Sequence, residues 1–371
     1  MARRMRRGYQ GPGQRRAGGV PFHRRHRKIV LAIVGTLVVV LGTATGYAFY
    51  LNHQLGGIDK VGGITTLPDR PDPDEGKALN ILLLGSDKGK KIKGESQDTT
   101  IEQDAAAAVW PDGKYRSDTL MIVHISADRK NVYLSSIPRD TYTMLYNAEG
   151  KPEHMEKINA AFSYYGPKGT ISTVEHMTDV RISHLAIIDW EGFKDLSTAV
   201  GGVPVFIPRA FYDPKQEIQW KAGEQTLKGK EALAYVRTRY GLLRGDFDRI
   251  ARQQNFIRAM MKKMLSKGVT SNPVRLTKTL GAVTKHLTID AEWETADLRA
   301  LALSLRGTTT EDVTFLTAPV ADTRTVPVYG SVVDLDPLKS KRMWLGLRED
   351  RMDEYMKLYP DDALAGDKEV S

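Results

Sequence analysis

Residues 29–51, IVLAIVGTLVVVLGTATGYAFYL, run for 23 positions without a charged side chain, and no other feature constrains the chain as much. A helix needs about 20 consecutive apolar residues to cross a bilayer core, so a transmembrane helix is expected here. Ten basic side chains precede it without one acid: Arg3, Arg4, Arg6, Arg7, Arg15, Arg16, Arg24, Arg25, Arg27 and Lys28. This asymmetry predicts a cytoplasmic tail over 1–28, a single-pass membrane anchor and an extracytoplasmic C-terminal bulk. The competing reading is a cleaved signal peptide, with Gly46, Tyr47 and Ala48 as a small-residue cleavage site. The apolar run exceeds the ~7–15 residues of a signal-peptide core, which favours the retained anchor.

The tail also explains the charge. The 371-residue chain has a formal charge of +9, but without the ten tail residues 44 basic side chains face 45 acidic ones, a net of −1. A nucleic-acid partner is therefore not expected. The chain has no cysteine, which excludes disulfides and thiolate metal sites, and its eight histidines form no HExxH. The stretch Gly85–Lys90 has the residues of a phosphate loop but not its spacing.

Residues 52–78 are rich in Gly, Pro and Asp and are expected to form an extracytoplasmic linker. LNILLLG (79–85), TLMIVHIS (119–126), NVYLSSIP (131–138) and SHLAIIDW (183–190) are short apolar runs with the character of buried strands. KINAAFSYYG, KGTISTVEHMTD, WEGFKDLSTAVGG, GKEALAYV, the run from Phe247 and ETADLRALALSLRG have helical character. Strands interleaved with helices predict an α/β fold with a central mixed sheet flanked by helices. Residues 88–116 are polar and are expected to form a surface insertion loop, and the tail 351–371 is expected to fray from Pro360 onward.

The stretch YVRTRYGLLRGDFDRIARQQ (235–254) carries five arginines. Read as strand at Tyr235 and Val236, it sends the side chains of Arg237 and Arg239 to one side. After Gly245 a helix is expected, with Asp246, Arg249 and Gln253 along one polar edge and Arg258 on its exposed side. Converging arginines are suited to gripping a polyphosphate. Asp87 and Asp118 stand at the expected strand boundaries, and carboxylates beside such a cluster match what a magnesium-assisted pyrophosphate site requires. Arg139 and Asp140 in IPRDT, then Lys157 and Asn159 in KIN, add further polar groups.

These elements together, GSD, RSDT, SIPRDT, KINAAF, GGVPVFIP, LKGKEALAYVRTR and GDFDRIARQQ, in this order behind one apolar span, resemble the LytR-CpsA-Psr family of cell-wall phosphotransferases. The resemblance runs from about Leu79 to about Asp350. It implies a phosphotransferase domain over 79–350 that moves a phospho-glycopolymer of teichoic acid, arabinogalactan or capsule type from a polyprenyl-pyrophosphate carrier to peptidoglycan. It further implies Asp87 and Asp118 as ligands of Mg2+, and Arg139, Arg237, Arg239, Arg249 and Gln253 as the pyrophosphate grip, with Lys157 and Asp246 in support. Family members usually carry an arginine after the first aspartate, where this chain has Lys88. A polyprenyl-pyrophosphate phosphatase and a non-catalytic lipid- or glycan-binding regulator of the envelope are the alternatives.

The charge asymmetry yields one test: protease added to intact spheroplasts should digest the C-terminal bulk. Protection of that bulk would overturn the extracytoplasmic assignment.

Overall fold

The computed structural model describes residues 50, 52–73, 76–88, 99–107, 109–238 and 246–366, except the side chains at 88, 246, 247 and 270. The basic tail and the expected transmembrane helix lie outside these residues, apart from Tyr50. Among the described residues no helix is long and apolar enough to cross a membrane. The fold is carried by the unit that begins at His53.

Its centre is a seven-stranded mixed sheet with the lateral order Asp59–Val61, Leu287–Asp290, His184–Asp189, Leu79–Lys88, Tyr115–Ile125, Val132–Ile137, Val313–Thr317. Four of these strands run the same way: His184–Asp189, Leu79–Lys88, Val132–Ile137 and Val313–Thr317. The continuous apolar run in LNILLLG follows from burial on both faces. Successive side chains alternate, so Leu82 and Leu84 enter one apolar cluster while Ile81 and Leu83 pack in another. Leu82 and Leu84 are fully buried, and each contributes roughly 1.5–3 kcal/mol relative to exposure.

On the first face lie the helices Asn159–Thr178, Pro337–Arg348 and Met352–Leu358, which supply Phe162, Ile171, Val174, Met343, Trp344 and Tyr355. KINAAFSYYG and KGTISTVEHMTD are one helix with a kink: Gly166 takes φ 64°, and Pro167 follows. A Cβ at Gly166 would come within 2.7 Å of the Trp110 ring, so glycine is required there twice over.

The helix Asp246–Leu265 lies between the second face and a satellite core. Its Ile257 and Met261 pack toward the sheet, while Phe256 and Met260 join Phe193, Val205, Trp220 and Tyr235 in the satellite. A helix buried on two sides also buries polar groups, here Asp248, Arg249, Arg252, Gln254 and Asn255. Gln254 Nε2 donates to the Leu316 carbonyl at 2.5 Å and to Ser136 Oγ at 2.8 Å, tying this helix to two strand ends.

Several boundaries differ from the sequence expectation. The expected linker is largely part of the fold: Asp59–Val61 is an edge strand, and Ile58, Val61, Ile64 and Leu67 are buried. Gly and Pro marked the turns between these residues and masked the spaced apolar positions. The 88–116 segment is not simply a surface loop. It contains the helix Ile101–Ala106 and a buried network in which Lys114 and the Tyr115 hydroxyl both donate to Asp104, at 2.5 and 2.6 Å. The tail from Pro360 is pinned as far as Leu364, whose N–H donates to the Phe315 carbonyl, and Lys339 pairs with Asp362. Arg258 is not on a free face, because it donates to Asn255 Oδ1 and to the Ala365 carbonyl.

One buried ion pair fastens the former linker to the core. Arg70 meets Glu175 at 2.6 Å and donates to the Ile64 and Ile182 carbonyls, while Glu175 accepts from the Ile182 N–H. Glu175→Ala leaves the guanidinium buried without its carboxylate and should cost about 3–5 kcal/mol. Urea unfolding of the C-terminal unit measures this, and a loss below about 1 kcal/mol would show the pair to be effectively solvated.

Candidate active site

The candidate site lies beyond the carboxyl ends of the four co-directional strands, where open α/β sheets receive ligands. A cavity of about 520 Å3 opens there, within the usual range for small-ligand sites of roughly 300–1,000 Å3. Asp87, Asp118, Arg237, Arg249 and Gln253 all line it, and so do Trp190, Asp213, Lys215 and Gln216.

Asp87 and Asp118 lie within strands rather than at their boundaries, because the ladder between Leu79–Lys88 and Tyr115–Ile125 continues past the polar stretch. The fully buried Tyr115 anchors its far end. Between the pairs Gly85↔Thr119 and Ser86↔Ser117 the register shifts, leaving Asp118 as the extra residue of a β-bulge. Bulges re-aim side chains, and this one brings Asp118 to the cavity that Asp87 also lines.

Each carboxylate faces a guanidinium. Arg237 Nη2 donates to Asp87 Oδ2 at 2.7 Å, and Arg139 Nη1 donates to Asp118 Oδ1 at 2.6 Å. Asp140 then links Arg139, at 3.4 Å, with Lys157, at 3.2 Å. Arg139 and Lys157 thus adjoin the cavity through these carboxylates and are not among its lining residues. Burial pushes the Asp87 carboxyl above its usual value; Arg237 opposes the shift, and the charge of Asp118 adds to it.

Arg237 is not on a strand. It is the last residue of the helix Gly229–Arg237, in which Ala232, Tyr235 and Val236 are buried at helical spacing. The two-residue window of Tyr235 and Val236 is too short to separate the two periods, whereas the longer GKEALAYV has helical character, as observed. Arg239 lies outside the described residues, so the strand pairing of Arg237 with Arg239 is replaced by a helix terminus bearing Arg237. Asp246 begins the next helix, and its side chain is also outside the described set. On that helix Arg249 is buried, and Gln253 Nε2 reaches the Val236 carbonyl at 3.3 Å, joining the two helices at the cavity.

Sequence reasoning missed Trp190. It opens the helix Trp190–Ala199 and lies under the Arg237 guanidinium, 4.5 Å from ring centroid to Cζ. Asp189 caps this helix by accepting from the Gly192 N–H at 2.6 Å, and a Cβ at Gly192 would lie 2.3 Å from that of His286. A tryptophan directly after the apolar run of a strand was the available signal. Asp213 and Gln216 gave none, because FYDPKQ has the composition of a turn.

The donor chemistry fits a magnesium ion: two carboxylates on one cavity wall are what Mg2+ takes when substrate phosphates and water complete its octahedron. Among the described residues there is no group of three or more His, Cys, Asp or Glu side chains that could hold a metal ion.

Residues 55–344 match the LytR_cpsA_psr family model. The chain belongs to the LytR-CpsA-Psr family. It is 32% identical over 333 residues to the cell wall biosynthesis protein LcpA of Corynebacterium glutamicum, covering 83% of this chain and 62% of that one. It is 38% identical over 249 residues to TagV of Bacillus subtilis, a polyisoprenyl-teichoic acid–peptidoglycan teichoic acid transferase, covering 65% and 58%. The chain thus spans less than two thirds of the length of either relative. The crystal structure of B. subtilis TagV superposes with a TM-score of 0.59 at 28% identity, over 75% of this chain and 98% of that one. These matches support the α/β core and its mixed sheet.

The raised Asp87 carboxyl carries a signed consequence. A carboxyl raised by folding adds stability below its ordinary value near 3.8, and that contribution is lost as pH rises through the folded value. At pH 7 the ionised group is therefore a burden to the fold. Asp87→Asn should melt no lower than the parent at pH 7, with any gain shrinking below about pH 4, while activity is lost. A clearly lower melting temperature at pH 7 would make the Asp87–Arg237 pair primarily structural.

Proposed function

We propose that this LytR-CpsA-Psr protein is a membrane-anchored phosphotransferase. It moves a phospho-glycopolymer from a polyprenyl-pyrophosphate carrier to a peptidoglycan hydroxyl outside the cytoplasmic membrane. The supporting observation is the cavity that gathers Asp87, Asp118, Arg237, Arg249 and Gln253 at one sheet end. The transferase named TagV among its relatives points the same way.

In this reading Arg237, Arg249 and Gln253 hold the diphosphate oxygens by charge-assisted hydrogen bonds, and Arg239, Arg139, Lys157 and Asp246 support them. Asp87 and Asp118 hold Mg2+, which supplies charge neutralisation on the phosphate oxygens. The acceptor hydroxyl attacks the phosphorus next to the glycan. A phosphodiester bond forms, the phosphoanhydride bond breaks, and polyprenyl phosphate leaves. Asp87 or Asp118 accepts the proton of the attacking hydroxyl. The arginines stabilise the charge on the departing phosphate.

The test is release of polyprenyl phosphate by the detergent-purified full chain, with and without peptidoglycan, before and after magnesium chelation. Release should require both peptidoglycan and magnesium, and Asp118→Asn should abolish the magnesium response. Arg237→Ala should weaken the donor by ~10–100-fold, the loss of one or two charge-assisted hydrogen bonds. Lys262→Ala, exposed on the helix Asp246–Leu265, should stay near the parent. Release independent of peptidoglycan would make the protein a phosphatase, and no release at all would sink the reading.

A further inference from the structure

Beside the proposed grip lies a carboxylate that it does not use. Asp213 is 1% exposed and lines the same cavity. Its Oδ1 accepts from the backbone N–H groups of Lys215 and Gln216, at 2.9 and 3.2 Å. Its Oδ2 accepts from the Thr238 hydroxyl at 2.5 Å and from Gln216 Nε2 at 2.7 Å. Gln216 Nε2 is also within hydrogen-bond distance of the Ala234 carbonyl, 3.0 Å, and of Thr238 Oγ1, 2.9 Å. Burial would raise the Asp213 carboxyl, but the bonds from Thr238 and Gln216 outweigh it and hold the group ionised below its usual range.

These partners belong to the end of the helix that bears Arg237. Thr238 is its C-cap, with its N–H on the Ala234 carbonyl at 3.0 Å, and the backbone turns to an extended conformation there. A helix terminus normally frays, since its last carbonyls lack partners. Here the Ala234 carbonyl accepts from the Gln216 amide, and the hydroxyl of the capping residue Thr238 donates to the buried Asp213 carboxylate. The guanidinium of Arg252 lies 4.8 Å from the ring centroid of Phe211 and 4.9 Å from that of Tyr235, which belongs to the helix that bears Arg237. Arg252 lies on the helix that carries Arg249 and Gln253.

We infer that Asp213, with Gln216 and Thr238, is a positioning group for the diphosphate grip: it fixes the helix end that presents Arg237 beside the helix that presents Arg249. This rests on the proposed phosphotransfer only in that a diphosphate is taken as the ligand. Preorganisation is the physical reason for such a device. Two guanidinium groups on independent helix ends lose conformational freedom when they close on one anion, and a scaffold that has already fixed them lowers that cost.

The experiment measures binding of a short-chain polyprenyl pyrophosphate to the full chain in detergent with magnesium, together with donor and acceptor KM and kcat. Thr238→Val removes only the hydroxyl, and Thr238→Ser restores it. The valine variant should bind the probe about tenfold more weakly and raise donor KM with acceptor KM unchanged, and the serine variant should return to within about twofold of the parent. Combined with Arg237→Ala, the valine substitution should add almost nothing, because the coupled pair acts through the same guanidinium. Should the valine variant not fold, Gln216→Ala at the half-buried edge of the network takes its place in the same cycle. A parent that fails to bind the probe overturns the phosphotransferase reading itself. A parent that binds, with Arg237→Ala weakened but the valine variant equal to the parent, or additive with Arg237→Ala, overturns the positioning role alone.

Discussion

Charge neutralisation at the carboxyl end of the sheet is the constraint on which the rest of the site depends. Two half-buried carboxylates on one cavity wall repel each other, and two arginines beside them would do the same. Alternated as Asp87 with Arg237 and Asp118 with Arg139, all four can sit together without a ligand. A cation bound to the carboxylates and an anion bound to the guanidinium groups would replace internal pairs with external ones while keeping the net charge of the cavity nearly constant. Partly exposed pairs are worth little individually, so the exchange is not costly.

The scaffold around those pairs is unusually polar for an interior. Gln254 on Ser136 and Leu316, Asp213 on Thr238 and Gln216, and Asp104 on Lys114 and Tyr115 each fasten one site-bearing element to its neighbour by satisfied buried hydrogen bonds. Apolar packing fixes the sheet and its covering helices, but it is non-directional. Setting the angle of one guanidinium needs directional bonds, and the network of Asp213 and Gln216 lines the cavity itself.

The sequence made legible what is periodic or long. The four apolar strands, the helices and the arginine-bearing stretch could be read because burial on two faces and helical spacing repeat over many residues. What could not be read depends on contacts between distant residues. The edge strand Asp59–Val61 is three residues long and pairs with Leu287–Asp290, more than 220 positions away. Asp213 resembles a turn former until Thr238 is brought to it, and Tyr235 and Val236 suit a strand as well as a helix until Ala232 is counted with them. Asp87, Asp118, Arg237, Arg249 and Gln253 line one cavity, whereas Arg139 stands behind Asp118 and Lys157 one step further, behind Asp140.

The bulge at Asp118 has a consequence for how such a site can arise. In a regular antiparallel hairpin, residues alternate strictly between faces, so Asp118 would sit opposite Ser86 and on the other face from Asp87. The extra residue breaks that parity within a single pair of strands. No exchange of one side chain for another produces this change; it takes a shift of chain length by one residue between Ser117 and Thr119. The carboxylate pair therefore belongs to the backbone count as much as to the two aspartates. A relative that keeps both acids but loses one residue from this turn of the ladder would carry the motif without the site.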